Sequence, residues 1–203
     1  MAILLVRHGE TCWNLERRFQ GRFDSPLTCH GEAQARAFGR ALAALPEASG
    51  ATIVASPQGR ARRTAEIIQG ELATSGETRT DVRLRELTLG SWDGLTYAEI
   101  GAGSPGIFEG AGRHDWYFRA PDGEGYSAFA ARVGAWLGEQ DETQSVIIVA
   151  HGLVSRVLRG LYTGLPRDVA LTLPVPQDRI FRLASGAIAE LRVQPALVGT
   201  GRG

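Results

Sequence analysis

Short continuous runs of apolar residues alternate along this chain with segments whose apolar positions recur at helical spacing. Residues 2–6 (Ala-Ile-Leu-Leu-Val), 51–55 (Ala-Thr-Ile-Val-Ala) and 145–150 (Ser-Val-Ile-Ile-Val-Ala) are rich in β-branched side chains and read as strands buried on both faces. Each is followed by a polar or glycine-containing turn and then by a helical stripe. The stripes are Ala35, Phe38, Leu42 and Leu45, then Ala61, Ala65, Ile68 and Leu72, then Val154, Val157, Leu158, Leu161 and Tyr162. A further helix is predicted from Tyr126 to about Gly138, a strand-like stretch at Asp81 to Leu84, and a closing hairpin of Arg179–Ala184 and Ile188–Val193 about Ser185-Gly186. Strands alternating with amphipathic helices predict an α/β sandwich with a mainly parallel sheet, in one domain over residues 1–203. Residues 101–125, rich in Gly and Pro and holding Phe108, Trp116, Tyr117 and Phe118, read as a long loop or lid, and the tail from Pro195 to Gly203 as frayed.

Composition narrows the chemistry. The 22 basic residues balance 22 acidic ones, so no overall field draws the chain to nucleic acid or an anionic membrane. All the basic residues are arginine. Without lysine there is no phosphate-binding G-x-x-x-x-G-K-[ST] loop, no Schiff-base lysine and no lysine general base. Arginine's planar, permanently charged fork suits bidentate phosphate binding. Cys12 and Cys29 are too few for a disulfide scaffold and lack zinc-ribbon spacing, which leads us to expect a reducing, cytoplasmic setting. The N-terminal apolar run stops at Arg7, short of a secretory leader, and no stretch is long enough to span a membrane.

Two of the strands deliver histidine followed by glycine to their carboxyl ends, Arg7-His8-Gly9-Glu10-Thr11 after the first and His151-Gly152 after the third. The second delivers Ser56-Pro57-Gln58-Gly59-Arg60, placing Arg60 at a helix start that already favours anions. Open α/β sheets bind ligands at this edge. One histidine alone reads as structural; Arg7, His8, Arg60 and His151 gathered from separate strand ends form a costly cationic cluster unless an anion such as a phosphate dianion occupies it. A neutral imidazole can attack phosphorus if a hydrogen bond, here expected to a carbonyl near Gly9, holds its other nitrogen, so His8 is the expected nucleophile. Arg7, Arg60 and His151, with Asn14 as a neutral donor, would meet the charge on the equatorial oxygens. A leaving alkoxide needs a proton, and Glu86 is the candidate donor, although composition alone does not single it out from other acids.

These residues together resemble the histidine phosphatase superfamily, also called the phosphoglycerate mutase-like family, from Ile3 to roughly Leu183. The resemblance runs through Arg7-His8-Gly9-Glu10-Thr11 with Asn14, Arg18-Phe19-Gln20-Gly21, Asp24-Ser25-Pro26-Leu27-Thr28 with Gly31, and Ser56 to Ala65. It continues through Leu84-Arg85-Glu86, Gly90-Ser91-Trp92-Asp93-Gly94, Pro121-Asp122-Gly123-Glu124 and Ala150-His151-Gly152. It implies a three-layer α/β/α sandwich and a phosphohistidine on His8. Arg7, Arg60 and His151 would bind the phosphoryl group, Glu86 would donate the proton, Asn14 would serve the phosphate pocket, and Gln20 and Gly21 would line the substrate side. It implies no metal and no cofactor. The expected substrate is a small-molecule phosphate ester, and a homodimer is compatible with a pattern that does not separate an exposed helix face from a dimer face.

Departures bear on the activity. Gln58-Gly59 stands where an apolar residue more usually precedes the arginine, and Gly125 follows Glu124 where serine is common. Leu89 occupies the place at which the cofactor-dependent mutases carry tyrosine, and Arg113 and Arg119 are the only basic residues in the lid candidate. The reading is therefore a phosphatase, with a phosphoglycerate mutase as rival and a non-catalytic phosphate-sensing or protein-binding module as the alternative of another class. Gly101 to Gly106 fits G-x-G-x-x-G but contains Pro105 and opens no βαβ unit, so dinucleotide binding is not expected.

Overall fold

The computed structural model describes residues 2–72, 78–112, 114–140 and 143–194. Its strands are β1 (Ile3–Arg7), β2 (Thr52–Ala55), β3 (Arg79–Thr80), β4 (Val146–Ala150), β5 (Arg179–Ala184) and β6 (Ala187–Arg192). They form one sheet in the order β3-β2-β4-β1-β5-β6. Strands β3, β2, β4 and β1 run parallel, and β5 and β6 add an antiparallel edge beside β1. The helices are α1 (Cys12–Leu15), α2 (Cys29–Ala43), α3 (Gly59–Leu72), α4 (Tyr97–Gly103), α5 (Tyr126–Gly138), α6 (Gly152–Thr163) and α7 (Arg167–Thr172).

The pleat sends alternate side chains to opposite faces. Leu4, Val6, Ile147 and Val149 join Phe38 and Leu42 of α2 and Ala61, Ala65 and Ile68 of α3 in one core. Ile3, Leu5, Ile148 and Ala150 join Phe129, Val133 and Trp136 of α5, Val154, Val157 and Leu158 of α6, and Leu171 of α7 in the other. Helices on both faces of a mainly parallel sheet make the three-layer α/β/α sandwich, as expected. The hairpin turns through Ser185 (φ 50°) and Gly186 (φ 74°), two successive left-handed residues whose twist suits a tight antiparallel turn.

Two expectations are corrected. Asp81 to Leu84 is not a strand: pairing stops after Thr80, and Val82–Leu84 forms a 3-10 turn whose start is capped by the Asp81 carboxylate, accepting from Arg83 N–H at 2.8 Å. The short polar side chain offers the backbone a local partner in place of the ladder. The reading of residues 101–125 as one long loop is corrected only in part, because most of the described segment is turns. These residues begin with the last turn of α4 and contain a 3-10 turn at Trp116–Arg119. Trp116 is buried in the main core between Phe19, Tyr97 and Phe108, so the segment's aromatic residues largely pack on one another and on the core. Arg113 and the tail from Pro195 lie outside the described residues.

Candidate active site

Strands β1, β2 and β4 end at one level. Arg7 pairs in register with Ala150 and Ala55 with Val149; just beyond, His8 N–H donates to Ala150 O (3.0 Å) and Ser56 N–H to Val149 O (2.9 Å). The ladder thus runs slightly past the strands and gathers His8, Ser56 and His151 at one sheet edge. The His8 and His151 rings lie 5.2 Å apart between centroids, and both side chains are buried.

His8 Nδ1 is 2.8 Å from Gly9 O. A carbonyl only accepts, so Nδ1 carries the proton and, in the neutral ring, Nε2 keeps its lone pair. Burial, and after it the charges of Arg60 and Arg7, holds the imidazole pKa well below the usual 6.5, which keeps the ring neutral at pH 7. The orienting peptide is itself anchored: Gly9 N–H donates to Thr64 Oγ1 (3.1 Å), and that hydroxyl donates to Arg60 O (2.8 Å). His151 contacts Ser56 Oγ through Nε2 (2.7 Å), while its Nδ1 has no partner among the described residues. Its pKa is also held well below 6.5, by burial first and then by Arg60 and its neighbours.

The arginines are fixed by carbonyls and one carboxylate. Arg7 donates from Nη1 to Val175 O (2.6 Å), and burial lowers its pKa to about 10, leaving it charged at neutrality. Arg60, in the first turn of α3, donates to Phe23 O (2.7 Å), Gly21 O (3.2 Å) and Asp24 Oδ1 (3.1 Å). The Nε atoms of both arginines have no acceptor among the described residues. The glycine of the Gln58-Gly59 pair has its reason here: a Cβ at residue 59 would overlap the Asp24 carboxylate that binds Arg60.

Glu86 faces this cluster across a cavity of about 250 Å³ lined by Arg7, His8, Asn14, Gln20, Gly21, Arg60 and Glu86 among others. Its Oε1 accepts from Leu87 N–H and its Oε2 from Leu153 N–H at the start of α6, both at 3.1 Å. Asn14 Oδ1 is occupied by Thr11 N–H (3.1 Å) and Gln177 Nε2 (3.2 Å), so what Asn14 can offer a ligand is its amide N–H. Gln20 is buried, and its Oε1 has no partner among the described residues. Every site residue expected from sequence except His151 lines this cavity. His151 sits beneath it, fully buried beside His8.

Sequence reasoning missed the residues that hold these in place. Arg156 Nε, Arg159 Nη2 and Arg7 Nη1 grip the successive carbonyls of Leu173 (2.7 Å), Pro174 (2.5 Å) and Val175 (2.6 Å), and Gln177 Nε2 returns to His8 O (3.0 Å). Arg156 also lines the cavity, with Nη1 3.5 Å from the Tyr117 hydroxyl. Arg132 binds Glu124 bidentately (2.7 Å each) and donates to the carbonyls of Arg83 (2.6 Å) and Arg85 (2.8 Å), bracing the Glu86 segment. Its signal was available: Arg132 lies between Phe129 and Trp136 on the apolar face of α5, where a charge is out of place unless paired.

Comparison with known proteins gives the family of the chain. The model of the histidine phosphatase superfamily (branch 1) matches residues 3–185. A protein of Salmonella arizonae named probable phosphoglycerate mutase GpmB is 39% identical, over 94% of this chain and 91% of that one. The structure of YhfR from Bacillus stearothermophilus superposes with a TM-score of 0.79 at 32% identity, covering 94% of this chain and 95% of that one. A mycobacterial glucosyl-3-phosphoglycerate phosphatase gives 0.73 at 30% identity, covering 89% and 88%. With the matched region spanning most of both sheet cores and every cavity residue named above, the chain belongs to the histidine phosphatase superfamily, branch 1.

Proposed function

We propose that this protein is a metal-independent phosphomonoesterase that hydrolyses a small-molecule phosphate ester through a phosphohistidine on His8. The observation that carries the reading is the Nδ1–Gly9 O bond, which leaves the Nε2 lone pair of a neutral His8 among Arg7, Arg60 and Glu86. Nε2 attacks phosphorus as the P–O bond to the alcohol breaks. Glu86 gives its proton to the departing oxygen. Water then attacks the phosphorus of the N–P bond, Glu86 takes the proton it sheds, and phosphate leaves with His8 restored. Arg7, Arg60, His151 and the Asn14 amide hold the equatorial oxygens, so arginine charge does the work a metal does elsewhere. Gln20 and Gly21 lie on the substrate side. The cavity is smaller than the roughly 300–1,000 Å³ of drug-sized pockets, which fits a small ester.

The mutase reading is favoured by one observation, the name of the GpmB relatives. Against it stands Leu89, a buried apolar wall of the cavity where those enzymes would need tyrosine. Phosphate release from phosphomonoesters, including 3-phosphoglycerate and p-nitrophenyl phosphate, in the presence of chelator separates the readings. Release that survives chelation and falls on the order of 10³-fold or more in His8→Ala is the expected result. Isomerisation of 3-phosphoglycerate without net release would establish the mutase, and full activity in His8→Ala would exclude the histidine mechanism.

A further inference from the structure

Gln58, the departure from an apolar residue, is tied at both ends of its side chain. Its Oε1 accepts from Glu86 N–H at 2.7 Å and its Nε2 donates to Gly21 O at 2.6 Å. A backbone N–H only donates and a carbonyl only accepts, so the amide has one orientation and neither a carboxylate nor an alkyl group reproduces both bonds. Gly21 O is also the acceptor for Arg60 Nη2 (3.2 Å). Gly21 itself has φ 49°, and a Cβ there would overlap Asp93, so no side chain at 21 could replace the link. One amide therefore joins the Glu86 segment to the Gly21 turn and, through the turn, to Arg60.

Glu86 also lines a second cleft of about 390 Å³, shared with Arg22, Asp24, Gln58, Arg85 and Thr88. The residue thus borders two cavities, and its placement depends on what holds its backbone. Arg132 braces the carbonyls of this segment, while Gln58 holds its N–H. Resting on the phosphatase reading above, we propose that Gln58 is a positioning residue that fixes Glu86 against the leaving-group oxygen, so that removing its amide specifically impairs proton delivery to that oxygen.

The leaving group reports on this. A p-nitrophenolate departs with little need of a proton, whereas an alkoxide needs one, and kcat/KM registers the step in which either leaves. Gln58→Leu and Gln58→Met should raise the ratio of kcat/KM for p-nitrophenyl phosphate over glycerol 3-phosphate by about 10- to 100-fold, the size expected of a misplaced general acid. A ratio is insensitive to the folded fraction of a variant. In a Glu86→Gln background, Gln58→Leu should change the ratio no further, because its effect runs through Glu86. An equal loss on both esters, or a ratio change that persists without Glu86, would overturn the inference and leave the phosphatase reading standing. A wild-type protein that releases phosphate from neither ester would overturn both.

Discussion

The chemistry of the site rests on a histidine kept neutral by surroundings that would be hostile to its charged form. Burial removes water from His8, and Arg60 and Arg7 oppose a further positive charge, so the ring holds no extra proton until the pH is well below 6.5. A protonated Nε2 has no lone pair to offer, and the acid limb of kcat/KM should therefore lie below that value. Arg60→Gln removes a lowering influence second only to burial, so the His8 pKa should rise toward 6.5 and the acid limb should move up with it. The plateau should fall about 10²- to 10³-fold with the lost phosphoryl contact. The ester's own ionisation is common to both enzymes and cancels in the comparison; an unmoved limb would mean that His8 protonation does not set it. At this scale much was legible. The Gly9 carbonyl partner of His8 could be anticipated from the need to fix a tautomer. Glu86 could not be separated from other acids by pattern, because its two amide donors, Leu87 and Leu153, come together only through the fold.

Elements were legible where periodicity is strong and less so where side chains compete with the backbone. The helix Tyr126–Gly138 was read at its observed bounds, since its apolar stripe is continuous. The Asp81 cap and the inward packing of Trp116 were not, because one depends on a local side-chain bond and the other on partners, Phe19 and Tyr97, distant in sequence. The N-terminus of α5 shows a consequence of the Gly125 departure: this N-cap has the extended geometry of a capping residue (φ −72°, ψ 153°) but no side chain to receive a helix N–H. A Cβ there meets nothing within 4 Å. Gly125→Ser should supply the missing acceptor and lower the entropy of the unfolded chain, stabilising the protein by about 0.5–1 kcal/mol. In thermal unfolding this corresponds to a rise in Tm of about 1–4 °C; a fall would show that the N-cap cannot accept the side chain.

At the scale of the whole molecule, a chain of balanced charge concentrates cations in one cavity by folding. Strands β1, β2 and β4 come to a common carboxyl edge, two histidines and two arginines arrive there from separate parts of the sequence, and Glu86 is brought opposite them by the turn after β3. The convergence was readable because parallel strands place their exits on one side. The supporting grips of Arg132, Arg156 and Arg159 were not, since they act on backbone carbonyls, which a sequence does not mark. The central claim is that this convergence makes His8 a phosphoryl acceptor, and the most direct test is to trap the intermediate. Glu86→Gln should still be phosphorylated by p-nitrophenyl phosphate, whose leaving group needs no acid, yet should lose the base that activates water. Mixed briefly with that ester, quenched in alkali and mapped by mass spectrometry, the variant should carry one acid-labile phosphoryl group on His8, absent from the His8→Ala, Glu86→Gln double variant. A phosphoryl group on any other residue, or a burst of nitrophenol with His8 unmodified, would contradict it.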